Sequence, residues 1–172
     1  MLNSTQRIRN LSEQPDNDVH LIAIDEPDAP EFKQWTDAVM LCLSRLDQHL
    51  TEHHTRIYNK SSNSKTFTQQ DAMDLIRDGY LVMATRDETL VGLLAVTTDE
   101  QEKIGEVTHV YVQEELWGKG IAAMMLGKAE ALGREKGLTH LKIQTYSNNE
   151  QANKAYSKSG YIPSQQTVTK RI

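Results

Sequence analysis

The spacing of apolar residues predicts strands and helices that follow one another along most of the chain. The short apolar run 19–24 is typical of a strand, and after Pro30 apolar residues recur every three or four positions, which predicts one amphipathic helix or a kinked pair. Thr68 to Asp71 has the spacing of a capping box in front of a short helix. The runs 80–85 and 90–96, joined by four polar residues, predict an antiparallel hairpin.

The second half of the chain predicts a strand, helix, strand, helix succession. The segments are a strand over 104–112, a helix over 121–136 that Gly137 stops, a strand over 140–145 and a helix over 150–159. The two strands run parallel because a helix connects them. Further strands near 161–162 and over 167–172 close the chain. We therefore predict an α/β fold with a central twisted mixed sheet of about six to seven strands flanked by helices.

Length and composition fit one soluble domain. The 172 residues are the size of a single domain, and 38% hydrophobic with 25% charged residues is close to the globular average. We expect residues 1–18 to form a flexible N-terminal extension and 19–172 a single domain. The chain has no apolar run of about 18 residues and no signal-peptide pattern, and it has one cysteine, Cys42, so we expect a cytoplasmic protein in a reducing compartment.

The charge is unevenly distributed. A net charge of −5 argues against nucleic acid or an anionic membrane as the main partner. Residues 1–105 hold 10 Lys/Arg against 18 Asp/Glu, a balance of −8, whereas residues 106–172 hold 9 against 6, a balance of +3. An acidic half suits a cationic acceptor and a basic half suits an anionic cofactor; uneven surface charge without a function is the alternative.

The strand-to-helix junction from Val110 to Ala123 carries the strongest chemical signal. Gly118 and Gly120 let the backbone approach a ligand closely, and the free amides of the following helix turn, with Lys119 beside them, suit a phosphate or pyrophosphate. A Walker loop is excluded because no Gly-Lys-Ser/Thr occurs. The pattern also satisfies a dinucleotide fingerprint, but the next strand ends in Gln144-Thr145-Tyr146 without the carboxylate that a ribose needs.

The segment Trp117-Gly118-Lys119-Gly120-Ile121-Ala122 resembles the acetyl-coenzyme A motif of the GNAT superfamily of N-acetyltransferases, Gln/Arg-x-x-Gly-x-Gly/Ala. Trp117 departs from the expected Gln or Arg. A second match, Asn149-x-x-Ala152-x-x-x-Tyr156-x-x-x-Gly160-Tyr161, resembles the last helix of the family and the strand after it. The resemblance spans about 80–161 and implies a GNAT-like fold, acetyl-coenzyme A as co-substrate, no metal, and transfer of acetyl to an amine.

The resemblance also implies a role for individual residues. Asn149 would contact the pantetheine arm, or serve as an N-cap, and Tyr156 would protonate the leaving thiolate. Glu106, fourteen residues before Gly120, is the candidate base, with His109 or ordered water as alternatives. The residues expected to bind the coenzyme are Val110, Tyr111, Val112, Gly118, Lys119, Gly120, Ile121, Ala122, Ala123 and Asn149.

The function expected is therefore acetyl transfer from acetyl-coenzyme A to a primary amine of a small cationic molecule or peptide. The resemblance allows a homodimer, because dimers are common in the family. The alternative is a non-catalytic module that senses acyl-coenzyme A on the same fold. His49-x-x-Glu52-His53 also matches the H-x-x-E-H pattern of zinc peptidases, but a solvated helix end explains this short motif better, and we expect no metal.

Overall fold

Five strands and four helices make up the part of the chain that the computed structural model describes, residues 18–58, 65–165 and 170. Most of them lie where the apolar spacing predicts. The first helix is one continuous element of 29 residues rather than a kinked pair, and a short 3-10 turn, Glu114–Leu116, precedes the third. In chain order the elements are β1 (His20–Ile24), α1 (Pro30–Tyr58), α2 (Gln69–Arg77), β2 (Gly79–Arg86), β3 (Thr89–Asp99), β4 (Ile104–Val112), α3 (Ile121–Glu135), β5 (His140–Ile143) and α4 (Glu150–Lys158).

The strands form one mixed sheet in the order β1-β2-β3-β4-β5. The first four are antiparallel neighbours, while β5 runs parallel to β4 because α3 connects them. The predicted hairpin is β2–β3, and its turn residues Asp87 and Glu88 have φ of 48° and 56°, as a tight hairpin turn demands. The predicted class, a mixed sheet flanked by helices, is confirmed.

The predicted number of six to seven strands was too high for the described residues, which form five. Tyr161 and Ile162 are not in a strand. The N–H of Tyr161 donates to the Tyr156 carbonyl (3.1 Å), where it caps α4, and Pro163 has no N–H to give to a ladder. Of the predicted last strand, 167–172, only Lys170 lies within the described residues, and residues 1–17 of the predicted extension lie outside them.

Two hydrophobic cores lie on opposite faces of the sheet, because successive side chains of a strand point to opposite sides. Tyr80 and Val82 of β2 pack with α3 residues such as Met125, whereas Leu81 and Met83 pack with α1 and α2. The hydroxyl of Tyr80 crosses the first core and donates to the Ala129 carbonyl of α3 (2.8 Å). These cores pack α3 and α1 against opposite faces of the sheet.

The strands β4 and β5 part halfway along β4. Their ladder runs from Ile104 opposite His140 to Val107 opposite Ile143, but β4 continues to Val112. Opposite β3, the register of β4 shifts between Val107 and His109, which marks a bulge. The end of β4 is therefore left without a strand partner on its β5 side in the described structure. None of the helices in 18–58 and 65–165 is long and apolar enough to cross a membrane.

Candidate active site

A large cleft lies where β4 and β5 separate. Its volume is about 1210 Å³, and it is lined by α1, the free end of β4, the turn after β4, the first turn of α3 and the inner side of α4. Pockets for drug-sized ligands are usually about 300–1,000 Å³. The cleft therefore has room for a ligand the size of a coenzyme together with a second small molecule.

The N-terminus of α3 faces this cleft with its backbone amides exposed. Gly118 and Gly120 have φ of 78° and 81°, and a Cβ added at either would meet nothing within 4 Å. No side chain caps α3, and the N–H groups of residues 121–123 have no acceptor among the described residues. By contrast, Thr68 caps α2 and Asn149 caps α4. The open turn before α3 has the shape and polarity that suit an anion.

Trp117 replaces the expected Gln or Arg at the start of this turn, and its side chain folds back onto the sheet. Its Nε1–H donates to the Val112 carbonyl at 2.8 Å, and its ring meets the ring of His49 edge-on, with 5.8 Å between the centroids. Trp117 thus joins the end of β4 to α1 and forms a wall of the cleft. The substitution leaves the amides of the α3 turn untouched.

Tyr156 and Asn149 reach the cleft from α4. Burial raises the pKa of the Tyr156 hydroxyl to about 12, so this side chain stays protonated at neutral pH. Asn149 is 8% exposed, and its Oδ1 accepts from the N–H of Ala152 at 3.2 Å. Asn149 is therefore an N-cap at the edge of the cleft, the alternative role that its position before a helix predicts.

The cleft brings together every residue expected to bind the coenzyme, and Tyr156 with them. Glu106, the candidate base, does not line this cleft. Its carboxylate pairs with Lys142 (2.9 Å) and accepts from Gln144 (3.2 Å), and it lines a separate cavity of about 230 Å³. His109 also lies outside the cleft lining: its ring meets Phe67 edge-on, with 5.9 Å between the centroids, and burial lowers its pKa. Neither of the two candidate bases on β4, Glu106 and His109, lines the cleft that Tyr156 lines.

Charged side chains of opposite sign enter the cleft from different elements. Lys119 lies in the turn before α3, and α4 contributes Lys154 and Lys158 four residues apart, on one side of the helix. Carboxylates come from α1, as Glu52, and from the 3-10 turn, as Glu114 and Glu115. The cleft therefore carries lysines on the α3 turn and on α4, whereas its α1 side carries carboxylates together with the cation Arg45.

His49 of α1 is a lining residue that sequence reasoning did not assign to this site. His49 lines the cleft, and its Nε2 lies 3.0 Å from Nε2 of His53 on the next turn. The H-x-x-E-H match was the available signal, because it places the two rings on one helix face. Among the described residues, no group of three or more His, Cys, Asp or Glu side chains is arranged to hold a metal ion.

The chain matches the model of the acetyltransferase (GNAT) family over residues 45–161, more than half of its length. It belongs to this family of acetyl-transferring enzymes. The match includes the end of α1, the whole sheet from β2 to β5, the α3 turn and α4. The resemblance read from the Gly118–Gly120 turn and from α4 is confirmed.

Individual relatives are more distant. An IAA acetyltransferase from Azospirillum brasilense is 28% identical over 109 residues, which cover 63% of this chain and 67% of that protein. Among solved structures, an aminoglycoside acetyltransferase from an uncultured soil metagenomic sample, in complex with sisomicin, superimposes with a TM-score of 0.63 and 18% identity over 91% of this chain and 97% of its own. AAC(6')-Iy in complex with the bisubstrate analog CoA-S-monomethyl-acetylneamine superimposes with a TM-score of 0.61 and 11% identity, over 90% of this chain and 97% of its own. These structures share the fold.

Proposed function

We propose that this protein transfers acetyl from acetyl-coenzyme A to a primary amine of a small cationic molecule or peptide. The observation that carries the proposal is the uncapped N-terminus of α3, with two open glycines, at the edge of a cleft that also holds Tyr156. Membership of the acetyltransferase family makes acetyl the group transferred.

The coenzyme fits the α3 end of the cleft. The amides of residues 121–123 would bind the pyrophosphate, because they lack acceptors and lie at the positive end of the helix dipole. Lys119 in the preceding turn and Lys154 and Lys158 on α4 supply positive charge to the same cleft, which suits the remaining phosphate of the coenzyme. The free edge of β4, from Val110 to Val112, would pair with the pantetheine arm.

The acceptor fits the α1 end of the cleft. Glu52, Glu114 and Glu115 supply three carboxylates there against one lining cation of α1, Arg45. Although Glu52 also lies 4.0 Å from Arg56, a protonated amine suits this excess of negative charge. Similarity to an aminoglycoside acetyltransferase and to an IAA acetyltransferase supports a small acceptor. Among these acceptors, a compound with several amino groups satisfies more of the carboxylates than a monoamine does.

Tyr156 acts in the chemical step as the acid. Its pKa of about 12 keeps the proton on the hydroxyl until negative charge develops on the thiolate that leaves. A backbone N–H at the free end of β4 would hold the negative charge that forms on the carbonyl oxygen of the acetyl group. Tyr156 thus stabilises the leaving thiolate, and the backbone of β4 stabilises the negative charge on the acetyl oxygen.

A screen of amine acceptors with detection of free thiol tests the proposal. The purified protein is incubated with acetyl-coenzyme A and spermidine, sisomicin or a lysine-containing peptide, and we expect thiol release that depends on one of these amines. Coenzyme binding without thiol release across a broad amine panel would overturn transferase activity and would favour a module that only senses acyl-coenzyme A.

A further inference from the structure

Two histidines on successive turns of α1 form a hydrogen-bonded pair at the edge of the cleft. The Nε2 atoms of His49 and His53 are 3.0 Å apart, and the two rings meet edge-on at 78° with 4.6 Å between centroids. His49 lines the cleft, whereas His53 is only 7% exposed and is not part of the lining. The pair therefore connects the cleft to the protein interior.

Asn148, just before α4, determines which nitrogens of the pair carry a proton. Its Nδ2 donates to the His53 carbonyl (3.3 Å), so its Oδ1 is the atom that faces Nδ1 of His53, at 3.2 Å. An amide oxygen only accepts, so Nδ1 of His53 carries the proton and, in the neutral ring, Nε2 of His53 is bare. The 3.0 Å contact then requires Nε2 of His49 to be the donor.

The remaining nitrogen, Nδ1 of His49, is consequently an unprotonated acceptor. It has no hydrogen-bond partner in the described structure, where the buried unpartnered side-chain atoms are those of His54 and Tyr161. Nδ1 of His49 is therefore in contact with solvent, on a side chain that lines the cleft. A bare imidazole nitrogen that a second group holds in one tautomer is the arrangement that general bases use.

Burial keeps the ring of His49 neutral near pH 7. Burial lowers its pKa most, and His53 and Arg56 on α1 lower it further, while Glu52 of α1 and Glu114 of the 3-10 turn oppose them. Trp117, which packs against the ring from the turn after β4, adds no charge. The neutral form is therefore the resting form, and the two carboxylates stabilise the imidazolium once a proton arrives.

We propose that His49 is the general base of the transfer reaction, with His53 and Asn148 as positioning residues that hold its tautomer. The inference rests on the proposed function. The acceptor arrives as an ammonium ion and gives one proton to Nδ1 of His49. The freed lone pair forms the C–N bond to the acetyl carbon, which places negative charge on the acetyl oxygen, and the C–S bond breaks as the carbonyl re-forms.

The protons balance without any further reactant. Tyr156 protonates the thiolate, and the second proton of the nitrogen, lost as the amide forms, returns to the Tyr156 oxygen through solvent. The first proton leaves His49 for solvent, so the products are an amide, a thiol and one proton. While His49 is protonated, its Nε2–H donates to His53, and the charge strengthens that bond.

The activity test compares His49→Gln with wild type from pH 7.0 to 9.5, using whichever of spermidine, sisomicin and a lysine-containing peptide turns over fastest. We expect turnover to fall about 100-fold at neutral pH. The deficit should narrow by more than about 10-fold at pH 9.5, because an amine with a pKa of about 10.4 is then roughly one-tenth unprotonated, against less than about one-thousandth at pH 7, and the free amine needs no base. His53→Gln should lower turnover less and should add nothing to His49→Gln.

His54→Gln is the matched control, since His54 lies on the same helix but does not line the cleft; its turnover should stay within twofold of wild type. Turnover of His49→Gln within twofold of wild type, or a loss that is the same at every pH, would overturn the inference for His49 alone. Failure of the proposed function has a different result, because wild type itself would release no thiol with any of the three amines.

The tautomers provide a test that needs no acceptor. In the nitrogen-15 spectrum of the ring-labelled protein, we expect the proton of His49 on Nε2 and the proton of His53 on Nδ1. A His49 ring protonated on Nδ1 would leave no base facing the cleft and would overturn the assignment.

Discussion

Replacing Gly120 by alanine tests whether the turn before α3 binds the diphosphate of the coenzyme. Gly120 has φ of 81° and its missing Cβ would meet nothing within 4 Å, so the substitution causes no clash within the described protein. Gly137, at the other end of α3, has φ of 79° and equally open surroundings, but it does not line the cleft. The two glycines therefore differ in location but have nearly the same φ.

The cost to folding should be the same for both variants. A residue other than glycine in the left-handed region loses roughly 1–2 kcal/mol, and the stiffer unfolded chain returns about 0.4–1 kcal/mol, so the net loss is about 1 kcal/mol. In a chain of this size, that lowers the melting temperature by about 2–4 °C. Gly120→Ala also places a methyl group where the ligand must approach.

The loss of affinity follows from the amides that the methyl group screens. If two charge-assisted bonds to the diphosphate are lost at about 1.5 kcal/mol each, binding weakens by about 3 kcal/mol. This corresponds to roughly a 100-fold increase in Kd. Titration calorimetry with acetyl-coenzyme A should show this for Gly120→Ala, while Gly137→Ala binds like wild type. Equal affinity in the two variants would refute the assigned role of the turn.

Four further predictions follow from three side chains. Tyr156→Phe should lower turnover about 100-fold and leave the affinity for acetyl-coenzyme A unchanged; turnover within twofold would remove its role as acid. Because the pKa of Tyr156 is about 12 and its acid form is lost only as the pH rises through that value, titration of Tyr156 should cause no fall in wild-type turnover between pH 7 and 9.5. Glu106→Gln should keep turnover within twofold, because Glu106 pairs with Lys142 outside the cleft, whereas a base on β4 would cost about 100-fold. Tyr80→Phe removes the buried bond to the Ala129 carbonyl and should destabilise the fold by about 1 kcal/mol, measured by denaturant unfolding, without changing coenzyme affinity.

Local patterns in the sequence predicted most of the fold. The capping box at Thr68 is present with both of its hydrogen bonds, and Ile104–Val112 is the strand that its apolar run predicts. The strand predicted near 161–162 was wrong, because a hydrogen bond to the end of α4 determines the backbone there. The Tyr161 N–H caps that helix, so an apolar pair that is typical of a strand forms none.

The site divides in the same way. Gly118, Gly120 and Tyr156 lie in short motifs. Such motifs occupy the same place in proteins that share the fold, so the sequence predicted that these residues line one cleft. Glu106 was chosen by its distance along the chain from Gly120, but the bulge near Thr108 and the cross-strand partner Lys142 decide where its carboxylate lies. Sequence spacing predicts neither the bulge nor the pairing with Lys142. It also does not predict the 3.2 Å contact between His53 and Asn148, which are 95 residues apart.

The measurement that tests the central claim most directly is a calorimetric comparison of acetyl-coenzyme A with S-acetylpantetheine, which lacks the diphosphate and the nucleotide. If the uncapped turn of α3 holds the diphosphate, acetyl-coenzyme A should bind in one saturable step, and S-acetylpantetheine at least about 100-fold more weakly. Equal binding of the two compounds, or no heat from millimolar acetyl-coenzyme A, would contradict the account.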